Sequence, residues 1–177
     1  MYEDILLATN GGVASIRATE HALELAADRA RLLDDLDVAV EREATLHALF
    51  VVDEAAITTY SGDEYVDGHE GPEYGFEELG RETLADVRDR AGGAGGAGVN
   101  VETYLRHGRP HETILDVADE VDADLVVAGS QRRPDEYRSL VGSVTEKIVR
   151  LIERPVLVVK TPVDEAGDPI ASGEPIA

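Results

Sequence analysis

The chain has 177 residues, with 37 Asp+Glu against 16 Lys+Arg, a formal net charge of −21 and no cysteine. That length is enough to bury a full core as one domain, and the lack of cysteine rules out disulfides and thiolate metal sites. A charge this negative, with no basic patch along the sequence, argues against nucleic acid as a partner. No apolar run approaches the roughly 20 residues that span a bilayer. No basic stretch precedes Ile5-Leu-Leu, so no signal peptide and no membrane segment are expected, and the reading is a cytoplasmic protein.

The charge says more about habitat than about chemistry. Only Lys147 and Lys160 are lysines, and Ala, Gly and Val are abundant. This composition is similar to that of halophilic proteins, for which molar salt shortens the Debye length to about 3 Å and screens self-repulsion. An acid-rich enzyme for a cationic substrate is the rival reading. It is the weaker one, because the acids are spread along the chain.

The elements follow a regular alternation. Ile5-Leu-Leu-Ala8 is a continuous apolar run, as expected for a strand buried on both faces of a parallel sheet. After the turn Thr9-Asn10-Gly11-Gly12 comes a helix from about Ser15 to Leu33, with Ile16, Leu23, Ala26, Ala30 and Leu33 as its inner stripe. Thr45 to Val52 is the second strand, preceded by an acidic surface insertion over residues 34–43. Asp53 to Gly75 reads as a polar loop, and Phe76, Leu79, Thr83 or Leu84, and Val87 mark a helix face. The Gly-rich run 92–98 is a flexible connector.

Val99 to Leu105 is the third strand, and Pro110 opens a helix whose stripe is Ile114, Leu115, Ala118 and Val121. Leu125 to Ala128 is the fourth strand. Ser143 to Ile152 is the next helix, with Val144, Ile148, Leu151 and Ile152 inward, and Pro155 to Val159 is the fifth strand. Residues 161–177, with three prolines and no pattern, read as a disordered tail, leaving one domain over 1–160. Five apolar strands alternating with helices imply an α/β fold: an open parallel sheet of five strands with helices on both faces.

In such a sheet ligands bind beyond the carboxyl ends of the strands, where the winding reverses. The ends of the first strand (Asn10, Gly11) and of the fourth (Gly129) are expected to meet there. The segment from Gly129 to Thr145 fits an anion site. A strand ends in glycine, a polar loop follows, and Gly142-Ser143 opens a helix whose free N–H groups and dipole favour a phosphate. The Ser143 and Thr145 hydroxyls can donate further hydrogen bonds. An ordinary βα connection capped by Ser143 is the plainer alternative. His107 and His111 are four apart, but Pro110 between them marks a loop-to-helix junction, so no metal site is expected.

From about Glu3 to Lys160 the chain resembles the universal stress protein family. The resemblance is carried by the first strand and its Asn-Gly-Gly turn and by Leu46-His-Ala-Leu-Phe-Val-Val-Asp53. It continues in Gly108-Arg-Pro110, in Ala123-Asp-Leu-Val-Val-Ala-Gly129, in Gly142-Ser-Val-Thr-Glu-Lys-Ile-Val-Arg150 and in Pro155-Val-Leu-Val-Val159. It implies a Rossmann-like fold of the adenine nucleotide alpha-hydrolase type.

Members that bind ATP carry Gly, two residues, Gly, nine residues and then Gly-Ser or Gly-Thr. That spacing holds from Gly129 to Gly142-Ser143, with Arg132 in place of the second glycine. Asn10 stands where the family has Asp, and Gly12 where it has Ser. Arg132 obstructs the backbone cradle, binds phosphate with its guanidinium, or forms with Arg133 an ordinary solvated surface pair. The resemblance further implies phosphates on the Gly142, Ser143 and Val144 N–H groups and on the Ser143 and Thr145 hydroxyls. The Gly129 and Ser130 backbone would approach the ribose and phosphates, with Asn10 near the ribose and Gly11 beside it among the cofactor-binding residues. Val51 or Val52 would flank the adenine. The cofactor it implies is ATP, or AMP or ADP, with or without Mg²⁺.

The function expected is a stress-response module with a degenerate nucleotide site. No base, nucleophile or metal triad assembles in the sequence, so efficient turnover is not expected, and slow ATP hydrolysis rests on the resemblance alone. The alternative is a family member without nucleotide that acts through a protein partner and a homodimer, paired along the apolar strand 155–159 as a sheet edge. Asn10-Gly-Gly-Val-Ala-Ser15 is also distantly similar to the pyrophosphate loop of adenylating enzymes. Its Ser→Asn and Asp→Ala departures remove that chemistry.

Overall fold

The computed structural model describes residues 2–35, 44–60, 72–93, 99–132, 142–164 and 166–170. In chain order the elements are β1 (Asp4–Thr9), α1 (Val13–Asp35), β2 (Thr45–Asp53), α2 (Glu54–Tyr60) and α3 (Pro72–Gly92). They continue with β3 (Asn100–Gly108), α4 (Pro110–Glu120), β4 (Leu125–Arg132), α5 (Ser143–Leu151) and β5 (Val156–Pro162). The strands form one sheet in the order β3-β2-β1-β4-β5, with every pair parallel. The chain winds outward from β1 to β3, then crosses back to place β4 against the other side of β1.

The continuous apolar runs are explained by burial on both faces. Ile5 and Leu7 of β1 pack with α1 and α3, whereas Leu6 packs with α4 and α5. β2 divides in the same way, with Phe50 and Val52 on the first side and Leu49 and Val51 on the second. The face of α1 against the sheet is made of small residues, Ala18, Ala22 and Ala26, which let the helix lie close. Leu23 is buried as expected, but Ile16 faces out at 36% exposure. Ala30 and Leu33 lie outside the described side chains. In α4, Ile114 and Ala118 are buried, with Val117 in place of Leu115. In α5, Ile148 is buried and Leu151 is 59% exposed.

Several boundaries differ from the sequence reading; α3 begins at Pro72 and β3 runs on to Gly108. The first turns of the expected loop after Asp53 are helical, with the Asp53 carboxylate accepting the Ala55 N–H at 3.0 Å to start α2. Residues 61–71 of that loop lie outside the described part, as do 36–43 of the insertion and 94–98 of the glycine connector. β4 does not stop at Ala128 but runs to Arg132, because Gln131 and Arg132 pair with Thr161 and Pro162. For the same reason the ordered chain passes residue 160: Thr161 and Val163 have no exposed surface, and a turn follows as far as Ile170. The expected tail is therefore structured over 161–164 and 166–170, and 171–177 lie outside the description.

A polar chain that the sequence did not announce crosses the far end of the sheet. His47 of β2 is buried, with Nε2 3.0 Å from Asp4 Oδ1 and Nδ1 3.1 Å from the Tyr104 hydroxyl. Burial and the hydrogen bond to Glu102 push the Tyr104 hydroxyl up to about 12.

Nearby, Asp124 ties the start of β4 to β1. Its Oδ2 accepts the N–H groups of Glu3 at 2.8 Å and Asp4 at 3.1 Å. Burial raises its pKa, but these two donors and the Arg154 charge outweigh that and hold it below the ordinary value of 3.8. A depressed carboxylate stabilises the fold above its unfolded pKa and loses that contribution as pH falls through the folded one. Asp124→Asn is therefore expected to lower the urea midpoint at pH 7, and the gap from the wild type should narrow as pH falls below the ordinary carboxylate value. A gap independent of pH would show that the carboxylate charge contributes nothing.

Candidate functional site

Because all five strands run the same way, their carboxyl ends share one end of the sheet, and α1, α4 and α5 each begin there. Between the ends of β1 and β4, where the winding reverses, a cleft of about 750 Å³ opens. Its floor comes from Ala8, Thr9 and Asn10 of the first strand end and from Ala128, Gly129 and Ser130 of the fourth. Further walls include Val51 and Asp53 at the end of β2, Phe76 and Leu79 of α3, Pro110 and Ile114 of α4, and the first turn of α5. Among the described lining residues Asp53 is the one with a formal charge.

The start of α5 is left open to this cleft. Gly142 occupies the N-cap position, so no side chain caps the helix, and the first intrahelical bond is Glu146 N–H to the Gly142 carbonyl at 2.8 Å. The N–H groups of Ser143, Val144 and Thr145 precede it and have no intrahelical acceptor. Gly142 has φ −61° and ψ 155°, a conformation open to any residue, and no described atom lies within 4 Å of where a Cβ would stand. The missing side chain leaves room at the helix end without serving the backbone.

Gly129 is a different case. A Cβ there would lie 2.4 Å from the Ala14 carbonyl oxygen and 2.8 Å from the Ser15 nitrogen. The glycine lets β4 touch the first turn of α1, so its first duty is packing and not ligand approach. Two hydroxyls around it are also committed. Ser130 Oγ accepts the Gly142 N–H at 3.3 Å, and Thr145 Oγ1 donates to the Gly129 carbonyl at 3.3 Å. Thr145 is buried, and its proton is thus spent on joining α5 to β4. Ser143 remains exposed at the cleft.

Asn10 lines the cleft, but its Oδ1 belongs to its own turn. It accepts the Ser15 hydroxyl at 2.6 Å and the Gly12 N–H at 3.0 Å. What Asn10 can offer a ligand is therefore the Nδ2 donor, where a carboxylate would offer charge.

Of the expected site residues, the fold brings Asn10, Val51, Gly129, Ser130, Gly142, Ser143, Val144 and Thr145 around one cleft. Two do not join them. Val52 is 1% exposed in the core on the α1 side and does not line the cleft, whereas Val51 on the opposite face of the strand does. Gly11 sits at φ 73° in the turn, where a Cβ would meet Thr83 Oγ1 of α3 at 2.7 Å. Arg132 ends β4, and its side chain lies outside the described part. Phe76, Leu79 and Pro110 were missed as lining residues. Their helical pattern marked packing faces, and nothing local shows that a face also borders a cleft. Among the described residues no group of three His, Asp or Glu could hold a metal ion.

The two glycines separate in a stability measurement. Gly129→Ala is expected to lower unfolding free energy by about 1–3 kcal/mol, since the added carbon meets backbone that cannot yield. Gly142→Ala is expected to leave it within about 0.5 kcal/mol of the wild type. Chemical denaturation of both variants checks this, and equal effects would remove the distinction.

Comparison with known proteins agrees with the fold and places it. The family model described as the universal stress protein family matches residues 1–160. A universal stress protein of Methanocaldococcus jannaschii is 30% identical over 165 residues, which is 93% of this chain and 86% of that protein. A universal stress protein family protein of Arabidopsis thaliana, solved with AMP bound, shares the fold with a TM-score of 0.54 at 20% identity, over 97% of this chain and 95% of that one. A universal stress protein solved in complex with cAMP matches with a TM-score of 0.53 at 20% identity, over 90% and 97%. With the Rossmann-like sheet, the cleft at its switch point and a family match over nearly its whole length, the chain belongs to the universal stress protein family.

Proposed function

We propose that the cleft binds an adenine nucleotide, ATP or its di- or monophosphate, and that the protein is a cytoplasmic stress-response module whose state depends on that nucleotide. The observation that carries this reading is the uncapped first turn of α5. Three N–H groups without intrahelical acceptors, at the positive end of a helix dipole, face a cleft large enough for a nucleotide. The phosphates lie on Ser143, Val144 and Thr145 N–H and on the Ser143 hydroxyl. The ribose lies near Asn10 and Ser130, and the base lies toward Val51. AMP and cAMP in the two solved relatives support the adenine class. Asn10 brings no charge to a metal, so any Mg²⁺ would take its negative ligands from the phosphates.

A second reading is a homodimer formed along β5. It is favoured by the position of β5 at the sheet edge and by the apolar run of residues 155–159. An unidentified protein partner would then read the dimer.

Calorimetric titration of ATP, with and without Mg²⁺, into protein held in molar salt tests the first reading. Micromolar binding is expected. Gly142→Val, which folds normally because that backbone accepts any residue, should weaken it by about a hundredfold or more by filling the phosphate position. Unchanged affinity in a folded Gly142→Val protein would remove the site, and no binding by the wild type would leave the dimer reading.

A further inference from the structure

Asn10 stands just past the end of β1, the strand that lies between β2 and β4 in the sheet. Its own turn fixes which side-chain atom is which. The Gly12 N–H donates to it at 3.0 Å, so the atom that receives this bond is the oxygen. The same Oδ1 accepts the Ser15 hydroxyl at 2.6 Å, and Ser15 Oγ in turn accepts the Asn10 N–H at 3.2 Å. Both lone pairs of Oδ1 are thus used within the turn. Nδ2 is left without an acceptor among the described residues, on an exposed side chain that lines the cleft. What Asn10 presents there is a pair of N–H donors and no negative charge.

The start of α5 has the same sense. Its first N–H groups, on Ser143, Val144 and Thr145, are donors without intrahelical acceptors. The neighbouring hydroxyl oxygens add little acceptor capacity, since Ser130 Oγ already accepts the Gly142 N–H and Thr145 Oγ1 is bonded to the Gly129 carbonyl. The one carboxylate of the described lining, Asp53, ends β2 and accepts the Ala55 N–H at 3.0 Å. β2 and β4 are two strand spacings apart, roughly 10 Å, with β1 between them.

Mg²⁺ holds its ligands at about 2.1 Å in an octahedron, draws on carboxylate and phosphate oxygens, and keeps waters whose protons need acceptors. Asp53 is too far from the α5 start to complete that shell around a phosphate held there. Asn10, which is placed between them, offers a donor. A phosphate-bound Mg²⁺ would also cover oxygens that the α5 N–H groups need and turn its water protons toward other donors. The described donor set fits a bare phosphate and does not fit Mg²⁺.

We propose that the cleft takes its nucleotide as the metal-free anion, with Asn10 Nδ2 donating to an oxygen of the ribose or of the adjoining phosphate, so that Mg²⁺ competes with the protein for the ligand. This rests on the nucleotide reading of the cleft and adds the form in which the nucleotide is bound. A triphosphate holds Mg²⁺ far better than a monophosphate does, so AMP gains on ATP wherever Mg²⁺ is abundant.

The test is calorimetric titration of ATP and of AMP into the wild type and Asn10→Asp at one molar monovalent salt concentration, with excess EDTA or with excess Mg²⁺. An aspartate can accept both bonds of the turn with one oxygen and present the other, charged, to the ligand. Equal denaturation midpoints check that the variant keeps the fold, and if it does not, the wild-type comparison decides alone. ATP is expected to bind the wild type about tenfold or more weakly with Mg²⁺ than with EDTA, and AMP to change by less than about threefold. In Asn10→Asp the order for ATP should invert, with metal-free ATP weakened about tenfold and Mg²⁺ restoring affinity.

ATP that binds the wild type as tightly with Mg²⁺ as with EDTA would overturn the proposal and leave the nucleotide reading standing. A folded Asn10→Asp protein with the wild-type response to Mg²⁺ would overturn it as well. No binding of either nucleotide under either condition would remove the nucleotide reading and this proposal with it.

Discussion

The contact between Gly129 and the first turn of α1 is the constraint around which this molecule is arranged. A Cβ on residue 129 would stand inside the Ala14 carbonyl group, so β4 and α1 meet backbone to backbone at the switch point of the sheet. From that contact the Gly129 carbonyl receives the Thr145 hydroxyl and the neighbouring Ser130 hydroxyl receives the Gly142 N–H. Both bonds draw the start of α5 to the ends of β1 and β4. The cleft is the space left between these elements, and its position follows from packing before any ligand is considered.

The electrostatic character of the site follows from the same geometry. A chain of net charge −21 would be expected to repel a polyanion, yet the described cleft lining carries a single formal charge, on Asp53. What it offers instead are main-chain N–H groups at a helix start. These are fixed partial charges, aimed at short range and set by the backbone. Exposed pairs such as Arg150 with Glu146 are screened in molar salt, where the Debye length is about 3 Å. Direct N–H contacts are shorter than that length. A site built from backbone donors is therefore compatible with a strongly acidic surface and with high salt, where a lysine-based phosphate site would lose more of its attraction.

The two ends of the sheet are specialised differently. The amino end is locked by side chains, with Asp124 across β1 and β4 and the Asp4–His47–Tyr104 chain across β1, β2 and β3. The carboxyl end is held by glycines and short hydroxyl residues that leave main-chain groups turned toward the cleft. Rigidity at one end and open backbone at the other is the usual division in parallel α/β sheets, because all helices following a strand present their amino ends on the same side.

The sequence by itself determined the sheet class, the five strands and the segments that border the cleft. Continuous runs such as Ile5-Leu-Leu and Leu125-Val-Val-Ala128 are apolar at every position, which only a strand buried on both faces can use. The Gly142-Ser143 step at a helix start was equally plain. Tertiary structure decided which residues of those segments face the cleft. Val51 and Val52 are chemically identical and adjacent, and strand alternation against the two helical layers separates them. Gly129 and Gly142 look alike in the motif, but one contacts Ala14 and the other faces open space. Ile16 lost its expected inward place because the face of α1 turned to the sheet is the row Ala18, Ala22 and Ala26, and Ile16 lies off it. The boundary at residue 160 moved for a similar reason. Pairing of Gln131 and Arg132 with Thr161 and Pro162 is a contact between distant residues, and no local pattern in either segment encodes it.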